Sequence, residues 1–80
     1  MTQSKVDKIA EMYPDALLVD GMDEAIIGVE EKDGRVVYDS EIIIKVLSRD
    51  MSEEEAIDYY GYNIVGAYVG EKTPIYITRL

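Results

Sequence analysis

Residues 51–74, M-S-E-E-E-A-I-D-Y-Y-G-Y-N-I-V-G-A-Y-V-G-E-K-T-P, form the longest periodic stretch of the chain and limit what the remainder can pack against. The stretch predicts a helix opened by a capping box. Ser52 caps the first turn, and Glu55, three residues on, reaches back to the Ser52 amide. Glu53 and Glu54 suit the positive end of the helix dipole. Ile57, Tyr60, Gly61, Ile64, Val65 and Tyr68 recur at intervals of three and four and define a core-facing stripe. Gly61 within that stripe costs roughly 1 kcal/mol against alanine, a cost that close contact with a neighbouring helix or sheet would explain. Gly70 is the expected C-cap, after which residues 71–74 turn the chain.

The opposite face of this helix carries Glu55, Asp58, Tyr59, Tyr62, Asn63 and Gly66. Tyrosine combines a large rigid body with a polar tip and is enriched at interface hot spots. Glu55, Asp58, Tyr59 and Tyr62 are therefore the candidate partner-binding anchors, with Glu53, Glu54, Glu30 and Glu31 placed to steer an encounter. The competing reading is that both rings lie flat over neighbouring elements of a very small domain.

Upstream, Ser4 and Asp7 make an S-x-x-D pattern ahead of Val6, Ile9, Ala10 and Tyr13, predicting a short amphipathic helix over residues 4–13. Pro14 ends it. Residues 16–19 are a short strand or a buried connector, and residues 20–24 a turn. Residues 25–31 and 35–39 flank Lys32, Asp33 and Gly34, which predicts a tight hairpin with Asp33 and Gly34 as its two loop residues. Val29 would then face Tyr38, and Glu31 would face Val36. Ile27, Val29, Val36 and Tyr38 form the expected core face, and Ile26, Gly28, Glu30, Val37 and Asp39 the other. Gly28 inside a strand implies a bulge or close packing against another backbone. Residues 39–49 read as a helix capped by Asp39 or Ser40, with Glu41 and Lys45 paired, Arg49 at its C-terminal end and Ile43, Val46 and Leu47 buried. Residues 75–79 alternate as a final strand, with Pro74 tolerated at its start.

These elements fit one α+β domain over residues 1–80, in the order α-β-β-α-α-β. The expected architecture is a three-stranded, mainly antiparallel sheet with helices packed on one face. Eighty residues with 48% hydrophobic and 31% charged content support a single small core. Such a domain buries only about 60% of its unfolded surface.

Composition removes several chemistries. Cysteine and histidine are both absent, so disulfides, zinc-thiolate sites, thiol nucleophiles and the usual general base are excluded. Asp20, Asp23 and Glu24 do not have the spacing of a calcium loop. The glycines at 61, 66 and 70 lack the strand-turn context and lysine of a phosphate-binding loop. Paired carboxylates at 30 and 31, or at 53, 54 and 58, would need a cleft to act as acid and base. The expectation is a non-enzyme without cofactor or metal. With 17 acidic against 8 basic side chains and a net charge of -9, the chain lacks the basic footprint of a nucleic-acid binder. Its charge serves solubility, or steers it onto a basic partner such as a nucleic-acid-binding site. The apolar runs are too short to span a bilayer, and residues 2–8 lack the apolar core of a signal peptide, giving a cytoplasmic expectation.

The phrases D-G-M-D-E-A-I-I-G-V, V-V-Y-D, S-E-E-E-A and Y-N-I-V-G-A-Y-V-G-E-K-T-P-I-Y resemble a family of small uncharacterised proteins found mostly in phage and prophage genomes. The resemblance covers residues 20–77, and N-I-x-G-A-x-x-G-E-x-T-P, here residues 63–74, is its most specific part. It implies a mobile-element setting and one compact domain, and no catalytic role. By analogy of size and charge, the expected function is binding and modulation of a host protein or defence complex, with charge mimicry of DNA as one means. The alternative is a self-associating accessory protein whose tyrosines form a homodimer contact.

Overall fold

The computed structural model describes residues 4–80; the first two residues of the 2–8 stretch read for a signal peptide lie outside the described residues. Helix α1, Lys5–Met12, is capped by Ser4, whose side chain accepts from the Asp7 amide. A 3-10 turn, Asp23–Ala25, leads into β1, Ile26–Glu30, and β2, Arg35–Asp39. Helix α2, Ser40–Leu47, follows directly, because the Asp39 carboxylate accepts from the amides of Glu41 and Ile42 and starts the helix where the strand stops. Helix α3, Glu53–Tyr59, continues as a π-helical segment, Tyr60–Val65, and β3, Ile75–Ile77, completes the fold. Residues 16–19 are a connector: Ala16 and Val19 pack on the core, while Leu17 and Leu18 are exposed.

The sheet order is β1-β2-β3. β1 and β2 are antiparallel, but β3 pairs with β2 in parallel, Tyr38 beside Tyr76, so the sheet is mixed. The long crossover through α2 and α3 is what permits a parallel partner. β3 is shorter than the expected strand over 75–79. Beyond it, Thr78 Oγ1 lies 3.4 Å from Ser40 Oγ, and Arg79 lies 3.7 Å from the buried Asp39 carboxylate.

The hairpin register also differs from expectation. Val29 faces Val36 and Glu30 faces Arg35, leaving a four-residue loop over 31–34. A two-residue type I′ turn needs positive φ at both Asp33 and Gly34, yet only Gly34 adopts it, at φ 71°. The Glu30 carboxylate instead captures the amides of Lys32 and Asp33, and the Gly34 amide donates to Glu30 O. The ring of Tyr13 occupies the space where a Cβ on Gly34 would sit. The two-residue shift preserves which residues share a face, and Val36 and Tyr38 are fully buried as expected. A bulge between Ile26 and Gly28 then reverses the last step, so Ile26 enters the core and Ile27 turns outward.

The core consists of Ile9, Met22, Ala25, Ile26, Val36, Tyr38, Ile43 and Ile64. Each fully buried isoleucine there contributes about 1.5–3 kcal/mol. Val46 and Leu47 of α2 pack against it. Tyr38 joins the layers. Its hydroxyl accepts from the Val19 amide at 2.8 Å, and its ring stacks on Tyr76 at 5.9 Å. Tyr76 meets Tyr60 edge-on at 5.9 Å.

The long helix departs most from its sequence reading. Ala56 and Ile64 are buried and Tyr60 packs against the core, whereas Ile57 is 48% exposed and Gly61, Val65 and Tyr68 face solvent. Positions four apart drift round an α-helix, and the wider turn of the π segment reverses that drift and returns Ile64 to the line of Ala56. The Gly66 amide, bonded to Gly61 O five residues back, marks the wide turn. The helix closes at Gly66 with φ -73°, not at Gly70. Gly70, at φ 113°, opens the turn in which its carbonyl accepts from the Thr73 amide and hydroxyl. Nor does Gly61 permit a close contact, since a Cβ there would meet nothing within 4 Å.

Two outcomes follow from this packing. Gly61→Ala should stabilise the fold by about 0.4–1 kcal/mol in chemical denaturation, because alanine fits the conformation and restricts the unfolded chain; a loss of stability would show that the wide turn requires glycine. Burial raises the phenol pKa of Tyr38, Tyr60 and Tyr76, and the charges of Asp23 and Asp39 add to the effect at the first two. The folded chain therefore holds these protons more tightly than the unfolded one. Their contribution is complete below the ordinary tyrosine value of about 10 and is lost as pH rises through the higher folded values. The thermal midpoint should fall from about pH 10 upward, less steeply in Tyr76→Phe. Identical alkaline profiles for the two proteins would rule out this cause.

Candidate functional site

The capping box positions the candidate surface. Ser52 Oγ accepts from the Glu55 amide at 3.1 Å and donates to Glu55 Oε1 at 3.0 Å, so the glutamate returns to the cap hydroxyl and not to the expected backbone amide. This fixes the first turn of α3 and the direction of the face that follows.

Glu55, Asp58, Tyr59 and Tyr62 come together along one shallow depression of about 360 Å³, completed by Met51 and Asn63. Tyr62 is 82% exposed and cannot lie flat over a neighbour, while Tyr59 is 45% exposed. Both rings stand beside carboxylates, presenting apolar area within a negative rim. Met51 was missed by reading from the cap onward; its place just before Ser52, where a hydrophobic residue commonly packs onto the first turns of a helix, was the available signal.

The remaining acids are dispersed. Glu53 faces the cleft between α2 and α3, with Ile44, Arg49 and Ile57. Glu54 is exposed in the first turn of α3. Glu30 is occupied in the hairpin loop, and Glu31 lines a separate groove beside α1. Arg49 forms a two-point pair with Glu24 at 2.8 and 2.9 Å, and that guanidinium holds the Glu24 carboxyl below its usual range. Residues 63–74 run from the end of the π segment through the Gly70 turn. Arg35 Nε donates to Thr73 O at 2.6 Å, and Lys72 donates to Asp33 O, so both tie this loop to the hairpin.

Among the described residues, no three acidic side chains converge on a metal-sized site, and no helix is long and apolar enough to cross a membrane. Compared with protein-family models, with curated proteins and with solved structures, the chain gives no match.

Ser52→Ala should lower stability by about 1 kcal/mol through loss of the N-cap. It should also raise amide exchange over residues 53–56 more than in α2, as read by hydrogen exchange. A uniform rise in both helices would mean that the cap contributes only globally.

Proposed function

We propose that this chain is a small phage-type protein that works in the host cytoplasm by binding and modulating a host protein, without catalysis or cofactor. The observation that carries this reading is the exposure of Tyr62 and Tyr59 beside Glu55 and Asp58 on a face whose helix is anchored from the other side. Exposed aromatic rings contribute nothing to the core, but they supply rigid contact area at an interface. The net charge of -9 favours a partner with a basic surface, such as a nucleic-acid-binding site, and would accelerate the encounter. Glu53, Glu54 and Glu31 add to the long-range field without joining the contact. The resemblance of residues 20–77 to phage and prophage proteins supports the host setting.

The test is capture from host lysate, with nuclease present, at low and moderate salt, comparing the wild-type chain with Tyr59→Ala/Tyr62→Ala. The wild type should retain a stoichiometric partner that the double variant loses, while the thermal midpoint shifts by no more than a few degrees. A basic partner released at moderate salt would identify charge as the main attraction. A concentration-dependent dimer in light scattering, abolished by the same substitutions, would replace this reading with self-association.

A further inference from the structure

β1 lies on an edge of the sheet and pairs only with β2. Helix α1, with Ile9 in the core, shares a groove with β1. Lys5 Nζ donates to Ile26 O at 2.7 Å at one end, and Tyr13 covers Gly34 at the other. Between them is an open groove of about 320 Å³, lined largely by apolar atoms of Ile9, Met12, Ile27 and Val29. Met12 is 68% exposed there, and the bulge turns Ile27 outward to meet it.

Gly28, which closes the bulge in β1, also lines the groove. Its φ is negative, and a Cβ would meet nothing within 4 Å. Neither the backbone conformation nor a neighbour of the Cβ position demands glycine there, and glycine weakens a strand. Glycine in such a place suits a backbone approaching from outside. The charge of the groove is the second observation. Lys5 and Lys8, three apart on one side of α1, both line it, Lys5 at the start of β1, and Glu31 follows the other end of that strand. Two cations are thus concentrated on one wall of a strongly acidic chain.

We infer that this groove binds the C-terminal segment of a partner protein as an added strand, antiparallel to β1 along Gly28–Glu30. An antiparallel strand runs toward the Ile26 end, so its terminal carboxylate arrives at Lys5 and Lys8. Lys5 uses one N–H on Ile26 and retains two for the ligand. Backbone hydrogen bonds to the open edge supply affinity, and alternate apolar side chains enter the groove. This surface is separate from the α3 face and stands independently of the function proposed above.

The experiment screens the full chain against a hexapeptide library with free C-terminal carboxylates and alternating Val, Ile, Leu or Thr, using fluorescence polarisation. Binding sites are then read from backbone amide shifts. The best peptide should bind at micromolar concentration and shift the β1 amides. Its C-terminal amide form, Lys8→Glu and Gly28→Val should each weaken binding about tenfold or more. Gly28→Val should keep or raise the thermal midpoint, and Tyr59→Ala/Tyr62→Ala should bind as the wild type does. No binding by any peptide at about 1 mM, or unchanged affinity in Gly28→Val, would overturn the inference. Equal binding of acid and amide forms would overturn the assignment of the carboxylate.

Discussion

The hydrogen bond from the Val19 amide to the Tyr38 hydroxyl, at 2.8 Å, is the constraint on which the rest depends. A tyrosine can be fully buried at low cost only when its hydroxyl has a partner. Here the partner is a backbone amide of the connector that brings α1 to the sheet. With its polar end satisfied, Tyr38 offers its ring to Tyr76 on the parallel neighbour, and Tyr76 in turn supports Tyr60 at the start of the π segment. One side chain thus links the N-terminal connector, the central and last strands and the long helix. In a domain with so small an aliphatic core, this chain of rings does much of what additional isoleucines would do in a larger one.

The π segment has a structural and a functional consequence. It keeps Ala56, Tyr60 and Ile64 on the core, while Ile57 and Val65 are exposed. The same turn places Tyr62 away from the sheet, beside Tyr59 and two carboxylates. A helix that closes at Gly66 also frees residues 67–74 to fold as a loop, which Arg35 and Lys72 tie to the hairpin. The exposed tyrosines are therefore supported by an element whose buried side is fixed.

Much of the fold was legible because the relevant forces are local. Ser4, Asp39 and Ser52 cap the three helices as their side-chain chemistry requires, and the order of elements follows the hydrophobic periods. The glycine in β1 announced its bulge. The candidate anchors on α3 were legible too, since residues spaced three and four apart share a helix face whatever that face meets. The core stripe was not. Ile57 and Ala56 are adjacent, and periodicity alone favours the larger apolar residue, whereas in the packed structure it is Ala56 that is fully buried. The two-residue hairpin failed for a similar reason, because Glu30 competes for the loop amides and no tetrapeptide rule includes that residue.

The sequence by itself determined where helices begin, which segments pair as a hairpin, and that the surface would be acidic, because caps, turns and charge act over a few residues. Tertiary structure alone decided the parallel placement of β3, the widening of the long helix and the groove between α1 and β1. Each of these depends on which distant side chains fill a shared volume, and close packing has no signature in the local order of residues.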